Sequence, residues 1–348
     1  MTMQYARLGN SGLIVSRLAL GALTFTQGNR TLGSVYKVGA ELADELVARA
    51  IDAGVNYFDT ADVYADGESE TLLGAALRPH RDKVILSTKV GNRSTGQREL
   101  TKGGLSRRHI LWSVDESLRR LGTDWIDMYV AHREDPYTPL EETLDAFDAL
   151  VRAGKVRYLG FSNWSAWTVA AAMEIQKAKG LAPFTHGQMY YSLLGRDVER
   201  DVVPMMARYG LGMTVWSPLA YGFLSGAYTR ESLSQADNRF SGFDLLKFDR
   251  DKGFELLEVM RDIAGARQIS VAQVALGWLL QKPAVTSIIL GATKSYQLED
   301  NLGAAAVNLD DADMARLDEA TALTPIYPTS QWIEPDVRAR RALAGTSR

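Results

Sequence analysis

Three apolar stretches in the first part of the chain each end on an ionisable side chain. Asp59 follows "VNYF" and Lys89 follows "VILST", while His132 follows "IDMYVA". Tyr64 comes shortly after Asp59, in the polar stretch that follows the first of these runs. A carboxylate at the end of a buried strand is costly unless it has partners, so we expect Lys89 to be the partner of Asp59.

These four side chains suit proton transfer to a carbonyl oxygen without a metal. A free tyrosine has a pKa of about 10 and is a poor acid at pH 7. A lysine ammonium about 4 Å away, at an effective dielectric constant of about 20, stabilises the phenolate by roughly 4 kcal/mol, or about three pKa units. We therefore predict that Tyr64 is the general acid, and the base in the reverse direction. Asp59 is expected to hold Lys89 charged and oriented, and His132 to hydrogen-bond the substrate oxygen.

Each of these residues, taken alone, also has an ordinary structural interpretation. An aspartate after a strand often caps a helix or a turn, and a single histidine is often a satisfied polar group. A lysine that ends an apolar strand is often simply solvated. What favours a catalytic site is the joint occurrence at three successive strand ends, because barrel enzymes carry their chemistry at the carboxyl ends of their strands.

The elements that must position these residues are short apolar runs alternating with amphipathic segments. Apolar rather than alternating strands, most followed by a helix, indicate a parallel sheet covered by helices. Eight strands favour closure into a (β/α)8 TIM barrel, with an open doubly wound sheet as the alternative. The predicted strands are Arg17–Gly21, Val55–Asp59, Val84–Lys89, Ile126–His132, Val156–Phe161, Thr185–Met189, Met213–Trp216 and Thr286–Leu290.

Helical patterns lie between the strands. The spacing of apolar residues predicts a helix over 140–151 and another over 110–121, the latter closed by Gly122. A third is predicted to begin at Ser270, where Gln273 completes a capping box.

Three segments stand outside the alternation in what we expect to be one domain over residues 1–348. Residues 1–16 contain Asn-Ser-Gly between short apolar arms and predict a hairpin that plugs the barrel floor. Residues 229–251, after the seventh strand, form a long polar loop expected to cover a bound cofactor. Residues 324–348 form a C-terminal extension carrying Trp332, which could fold over the mouth, mediate self-association or fray.

Composition argues against several classes of function. The net charge is −3 with no dense basic run, which disfavours nucleic acid and anionic membranes as partners. No apolar run approaches the roughly 18 residues of a membrane span, and the start does not read as a secretory signal, so a cytoplasmic enzyme is expected. Cysteine is absent, which excludes thiol chemistry and thiolate metal sites.

Other catalytic motifs are missing as well. The chain has four histidines but no HExxH, so no metal site is predicted. "GFSNW" lacks the second glycine of a nucleophile elbow, and "GATKS" lacks the glycine that a Walker loop needs before its lysine.

The chain resembles an aldo-keto reductase from about Tyr5 to Leu323. "NYFDTADVYADGESE" is similar to the stretch that bears the family's catalytic Asp and Tyr, "ILSTKV" to its Lys segment and "DMYVAHREDPYTPLEETL" to its His segment. "ALVRAGKVRYLGFSNW", "QMYYSLL", "WSPLAYGFLSG" and "SIILGATKSYQLEDNL" match further blocks in the same order. The likeness is nearer to bacterial oxidoreductases related to voltage-gated potassium-channel β subunits than to the mammalian aldose reductase branch.

The resemblance implies a nicotinamide cofactor extended across the barrel mouth, NADPH/NADP+ rather than NADH. It implies that Ser162, Asn163 and Gln188 bind the carboxamide and that Trp216 stacks on the nicotinamide. Ser217 to Gly222 would bind the pyrophosphate, residues 291–294 the 2′-phosphate and residues 297–301 the adenine. The cofactor-binding residues implied are Gly21, Ala22, Leu23, Asp59, Ser162, Asn163, Gln188, Trp216, Ser217, Pro218, Leu219, Gly222, Leu224, Arg239, Gly291, Thr293, Lys294, Gln297, Asp300 and Asn301.

Two departures from the family pattern affect the cofactor prediction. Ala227 stands where close relatives carry lysine, and Gly21-Ala22 stands where the family has Gly-Thr. Lys294 therefore carries most of the prediction of NADPH, because a charge-assisted phosphate contact contributes about 1.5–3 kcal/mol.

The substrate is expected to be a small carbonyl compound, in a pocket formed by Val63, Tyr64, Asn92, His132 and Trp167. Sugars, pyridoxal-like aldehydes and bulky polycyclic ketones all fit these residue types. The alternative function is a nucleotide-sensing subunit that docks a channel or another protein. Self-association into a homo-oligomer is a further expectation.

Overall fold

The computed structural model describes residues 3–93, 99–234, 240, 246–327 and 330. A two-stranded antiparallel hairpin precedes a closed barrel of eight parallel strands, in which neighbours along the chain are also neighbours in space. The hairpin consists of β1 (Tyr5–Arg7) and β2 (Ile14–Ser16). The barrel strands are β3 (Leu18–Gly21), β4 (Tyr57–Asp59), β5 (Ile85–Val90), β6 (Ile126–Ala131), β7 (Val156–Ser162), β8 (Phe184–Tyr190), β9 (Gly212–Trp216) and β10 (Val285–Leu290).

Helices surround this barrel, and the last strand closes it by pairing with the first, Ile288 opposite Leu18. The helices are α1 (Ala40–Asp52), α2 (Glu68–Leu77), α3 (Arg107–Leu121), α4 (Leu140–Arg152), α5 (Ala166–Lys179), α6 (Val202–Tyr209), α7 (Arg250–Arg267), α8 (Val271–Leu280), α9 (Ser295–Leu302) and α10 (Asp311–Ala320).

The predicted TIM barrel is confirmed, and each predicted strand overlaps an observed one. The open-sheet alternative is wrong because β10 pairs with both β3 and β9, which leaves no sheet edge. Strands such as β5 are buried along their whole length, as the apolar runs indicated.

The N-terminal hairpin is also confirmed, at the bottom of the barrel. Leu8 and Val15 are fully buried and pack with Tyr57 and Ile85, the first residues of β4 and β5. The backbone N–H of Asn10 donates to the carbonyl of Gly210, at 2.8 Å, which ties the hairpin turn to the start of β9.

The predicted helix ends are mostly confirmed, with one difference at α8. Gly122 ends α3 with φ 65°, a conformation that glycine adopts without penalty. The Ser270 hydroxyl caps α8 by accepting from the N–H of Gln273 at 3.1 Å. The capping box is only half formed, because the Gln273 amide instead donates to Asp300, at 2.8 Å to its carbonyl and 3.0 Å to its carboxylate.

The long loop after β9 ends earlier than predicted. Asp249 caps α7 by accepting from the N–H groups of Asp251 and Lys252, so Arg250 and Asp251 belong to the helix rather than to the loop. Residues 235–239, which include Arg239, and residues 331–348, which include Trp332, lie outside the described residues. Within the described part of the chain no single helix is long and apolar enough to span a membrane; α7 and α8 meet the criterion together but are bent by 93° at their junction.

Candidate active site

A buried ion pair lies at the carboxyl ends of β4 and β5. Lys89 Nζ is 2.6 Å from Asp59 Oδ2 and donates also to the carbonyl of Thr60 at 2.6 Å. The lysine side chain is fully buried, and burial alone would lower its pKa. The neighbouring Asp59 carboxylate and Tyr64 hydroxyl more than offset burial and hold the pKa of Lys89 above its usual value. The ammonium therefore stays charged, as the sequence predicted.

The Tyr64 hydroxyl is the third member of this cluster. It lies 3.4 Å from Lys89 Nζ, and the ammonium is 4.9 Å from the centre of the phenol ring. Tyr64 begins a short turn, Tyr64–Gly67, that leads from β4 into α2. The structure thus brings together the three residues that the sequence placed at one mouth.

The expected lowering of the Tyr64 pKa does not hold for the free protein. Burial raises the pKa of the Tyr64 hydroxyl, and the Lys89 charge, which lowers it, does not compensate. The Asp59 carboxylate adds to the rise. The estimate from sequence counted the ammonium but neither the loss of water nor the carboxylate beside it.

His132 lies against Tyr64, with ring centroids 5.7 Å apart in an edge-to-face arrangement. Burial, together with the nearby Lys89 and Arg133 charges, holds the pKa of His132 well below its usual value, so its imidazole is neutral. Nδ1 is buried without a hydrogen-bond partner among the described residues. A neutral imidazole has one N–H to donate, which suits it to hydrogen-bond a carbonyl oxygen.

Gln188 links this cluster to the far side of the barrel. Its amide donates to Asp59 Oδ1 at 2.9 Å, so both oxygens of the Asp59 carboxylate accept hydrogen bonds. Gln188 lies near the end of β8 and is nearly fully buried. Sequence reasoning missed this bond, which joins residues on opposite sides of the barrel; the inward-facing position of Gln188 was the only signal.

A second group of polar and aromatic side chains forms the rim beside His132. The Asn163 amide donates to the His132 carbonyl at 3.3 Å and to the Ser162 hydroxyl at 2.9 Å, and its oxygen accepts from Trp216 Nε1 at 3.0 Å. The Trp216 ring lies 5.3 Å from that of Tyr190, an aromatic partner that the sequence did not indicate. A cavity of about 140 Å³ opens beside Asn163 and Tyr190.

Backbone strain is concentrated at this end of the barrel. Non-glycine residues with positive φ are uncommon, and they cluster at functional sites. In the described part of the chain, all such residues except Gln268 at the end of α7 lie in the loops after β4, β7 and β9; they are Ala65, Asp66, Asn163, Ser217, Ala220 and Tyr221.

The residues assigned to the pyrophosphate offer fewer backbone donors than expected. Pro218 has no N–H, and the N–H of Gly222 is taken by the carbonyl of Leu219 at 2.9 Å. Leu224 is fully buried. Gly21 has a packing reason of its own, because a Cβ there would lie 2.6 Å from the side chain of Ile289.

The residues assigned to the adenosine end lie in α9 and in the loop just before it. Gln297 accepts from the N–H and the hydroxyl of Thr293, at 3.0 and 3.1 Å. A Cβ at Gly291 would meet nothing within 4 Å, so open space lies above that loop. The Asp300 carboxylate accepts from the Ser270 hydroxyl at 2.7 Å, and Asn301 is buried beside it. The Lys294 ammonium lies 5.7 Å from the Tyr296 ring.

The remaining candidates are spread over the rim. Ala22 is fully buried and Leu23 partly buried in the loop after β3, and Val63 is partly buried one residue before Tyr64. Asn92 accepts a hydrogen bond from Arg133. Trp167, at the start of α5, is 72% exposed, so it stands at the edge of the mouth rather than inside it. No group of three or more His, Asp or Glu among the described residues could hold a metal ion.

The mouth fits a nicotinamide dinucleotide in its chemistry. The open space over Gly291 and the exposed ammonium of Lys294 are features that suit the phosphate-bearing end of such a molecule. A closed barrel with a lysine–carboxylate pair beside a phenol at the carboxyl ends of its strands is the arrangement of a barrel enzyme.

Comparison with known proteins identifies the family. The model of the aldo/keto reductase family matches residues 17–322, so the chain belongs to that family, and it is an oxidoreductase. It is 37% identical over 313 residues to a probable voltage-gated potassium channel subunit beta of Oryza sativa subsp. japonica, covering 88% of this chain and 92% of that protein.

Other relatives are named as reductases. The chain is 33% identical to versiconal hemiacetal acetate reductase of Aspergillus parasiticus, over 94% of this chain and 99% of that protein. It is also 33% identical to probable aldo-keto reductase 1 of Glycine max, over 92% of this chain and 90% of that protein.

Proposed function

We propose that this protein is an NADPH-dependent oxidoreductase that reversibly reduces an aldehyde or ketone to an alcohol, with Tyr64 as the proton donor. The observation that carries the proposal is the position of Lys89 Nζ, 2.6 Å from Asp59 Oδ2 and 3.4 Å from the Tyr64 hydroxyl. Membership of the aldo/keto reductase family supports it.

The state of each group suits the reduction direction. The raised pKa of Tyr64 keeps its hydroxyl protonated at neutral pH, so a proton is available when negative charge develops on the substrate oxygen. Lys89 then stabilises the phenolate that is left, and the neutral His132 donates a hydrogen bond to the same substrate oxygen. A bound nicotinamide would supply the hydride for the carbonyl carbon.

A panel of aldehydes and ketones tests the proposal by the loss of NADPH absorbance. The panel should contain sugars, pyridoxal-like aldehydes, polycyclic ketones and, given the name of the Aspergillus relative, a hemiacetal acetate. We expect turnover by the wild type, and a loss of at least about 10²-fold in Tyr64→Phe. No turnover of any compound, or full turnover by Tyr64→Phe, would contradict the proposal.

The preference for NADPH rests on Lys294. The hydroxyl of the adjacent Ser295 donates to the Glu45 carboxylate at 2.6 Å. Because this carboxylate would repel a bound phosphate, a phosphate there needs a cation close by. We expect Lys294→Ala to raise the KM for NADPH about 10- to 100-fold and to leave the KM for NADH within about twofold. Lys155→Ala, an exposed lysine before β7 at the opposite end of the barrel, is the control. Equal effects on both cofactors would remove the case for NADPH.

A second candidate function comes from the relatives named as potassium channel β subunits. A nucleotide-sensing subunit could keep the same fold and the same site residues. Co-purification with a membrane partner, together with negligible single-turnover oxidation of bound NADPH by any carbonyl, would favour this candidate over the enzyme.

Two further expectations remain proposals. We infer a cytoplasmic enzyme, because a reductase depends on the reduced dinucleotide that the cell interior maintains; cell fractionation tests this. Self-association into a homo-oligomer is tested by size-exclusion chromatography with light scattering.

A further inference from the structure

The backbone directly after Tyr64 adopts an unusual conformation. Ala65 has φ 49° and ψ 39°, and Asp66 has φ 56° and ψ 35°, so two consecutive non-glycine residues are left-handed. Gly67 follows with φ 94°. L-residues visit this region singly and rarely, and a chain keeps such a turn only where its surroundings determine it. Something must therefore hold the turn that carries the Tyr64 hydroxyl.

The holding contacts come from the loop between β3 and α1. Glu68 Oε2 accepts from the Thr26 hydroxyl at 2.7 Å, from the N–H of Gln27 at 2.7 Å and from the N–H of Asn29 at 3.2 Å. The Asn29 amide also donates to Asp66 Oδ2 at 2.8 Å. Glu68 Oε2 thus accepts hydrogen bonds from three donors of this loop. The Asp66 carboxylate, on the strained turn itself, accepts a fourth.

The loop that supplies these donors is itself fixed to the barrel. The Thr24 hydroxyl donates to the carbonyl of Ala292, beyond β10, at 3.1 Å. The Ser69 hydroxyl, on α2, donates to the carbonyl of Ala22 at 2.6 Å. The contacts of Glu68 and Asn29 therefore join the strained turn to a braced segment rather than to a free loop.

We propose that Glu68 and Asn29 are positioning residues for Tyr64: they hold the left-handed turn of residues 65–66 and so keep the Tyr64 hydroxyl within reach of Lys89. Neither residue contacts the Lys89–Asp59 pair. The proposal rests on the proposed function for its kinetic consequence, because a displaced phenol can transfer its proton only poorly.

The displacement has a distinctive effect on pH dependence. The titratable groups that face Tyr64 are Lys89, Asp59, Tyr36 and His132. Of these, Lys89 lowers the pKa of Tyr64, whereas burial, Asp59 and Tyr36 raise it. A movement of Tyr64 changes the burial of its hydroxyl and its distances from Lys89 and Asp59, so its pKa changes. The fall of the reduction rate at high pH, where Tyr64 loses its proton, then shifts with that pKa.

Glu68→Gln and Asn29→Ala test the proposal, with Glu41→Gln as the matched control. Glu41 is exposed and lies in the first turn of α1, and Glu68 is half-buried in the first turn of α2. The control therefore reproduces the loss of a carboxylate charge near a helix start. We expect both test variants to lower kcat about 10- to 100-fold, with the KM for NADPH within about twofold of wild type. We expect no change in Glu41→Gln.

A second readout needs no turnover. In protein labelled with 4-¹³C-tyrosine, the Tyr64 signal is assigned by its absence in Tyr64→Phe, and its titration should shift in Glu68→Gln. Unchanged kcat and unchanged titration in both variants would overturn the inference, as would equal losses in kcat and in cofactor affinity. A wild type without carbonyl turnover would instead contradict the proposed function, and the titration still decides whether Glu68 positions Tyr64.

Discussion

Replacing Lys89 by methionine separates the two roles that the structure gives this lysine. Lys89 balances the buried Asp59 carboxylate and, in the proposed mechanism, stabilises a negative charge on Tyr64. Methionine has nearly the same length and no charge, so the change removes the ammonium with little change in packing. Stability and catalysis should both suffer, for different reasons and by different amounts.

The catalytic loss follows from the distance between the two groups. Unit charges 3.4 Å apart interact by about 5 kcal/mol at an effective dielectric constant of about 20. Loss of that interaction raises the pKa of Tyr64 by more than about three units, and burial already raises this pKa. We expect Lys89→Met to lower the kcat of carbonyl reduction by about 10²- to 10⁴-fold, the range for loss of a general acid.

The stability loss follows from the carboxylate left behind. Asp59 is nearly fully buried, and removing one partner of a buried pair costs about 3–5 kcal/mol of unfolding free energy. Gln188 still donates to Oδ1, which places the expected loss at the lower end of that range. The double variant Lys89→Met/Asp59→Asn removes the unpaired charge and should regain most of the stability without regaining activity.

The assay pairs steady-state reduction of the best carbonyl substrate with urea unfolding of the wild type, the single variant and the double variant. Activity is measured where each protein is fully folded. A kcat of Lys89→Met within about threefold of wild type would contradict the proposed role of the ammonium. Joint recovery of stability and activity in the double variant would contradict it too, since the lysine would then act only through Asp59.

Two further predictions concern the framework around the site. Arg120→Ala breaks a 2.6 Å ion pair with the fully buried Glu70, and we expect it to lower the free energy of unfolding in urea by about 3–5 kcal/mol. The control is the neighbouring Arg119→Ala, since Arg119 is 67% exposed beside Glu116 and its loss should cost less than about 1 kcal/mol. Equal losses in the two variants would contradict this prediction. Burial lowers the pKa of His186 to about 3, so below about pH 6.5 the unfolded chain binds a proton that the native chain does not, and the unfolding free energy falls by about 1.4 kcal/mol per pH unit. His186→Gln should remove that part of the slope between pH 4 and 6, and an unchanged slope would show that His186 does not contribute it.

The sequence predicted the cluster of Asp59, Lys89 and Tyr64 because its members lie on consecutive strands or directly after one. In a parallel barrel, consecutive strands are neighbours, and their carboxyl ends meet at one mouth. Asp59 and Lys89 end or nearly end two such strands, β4 and β5, so their contact needed only the correct strand assignment. Tyr64 followed because it lies in the loop directly after β4.

The contact between Gln188 and Asp59 is of another kind. These residues belong to β8 and β4, which are not neighbours in the barrel. Which inward-facing side chains meet across a barrel depends on its stagger and tilt, which an apolar pattern does not reveal. The hydrogen bonds that Glu68 accepts could not be predicted for a similar reason. Their donors, Thr26, Gln27 and Asn29, lie in a loop, where residue spacing carries no periodic signal.

The pKa of Tyr64 shows a third limit of sequence reasoning. Residue types and spacing indicate which charges meet, but the loss of water on burial depends on how the loops close over the group. Here that loss exceeds the lysine contribution, so the sign of the net shift could be read only from coordinates.

The raised pKa of Tyr64 has a consequence for the pH dependence of the proposed reaction. Both oxygens of Asp59 already accept hydrogen bonds, from Lys89 and from Gln188. Lys89 donates toward the Tyr64 oxygen, so the hydrogen of the Tyr64 hydroxyl is directed away from the ammonium and is free for an acceptor in the mouth. A phenol that holds its proton at neutral pH gives it readily only to a strong base such as a developing alkoxide, and a proton given to such a base is costly to take back. In the free protein we therefore expect reduction to be fastest where Tyr64 is protonated, and the oxidation rate to rise with pH as Tyr64 deprotonates.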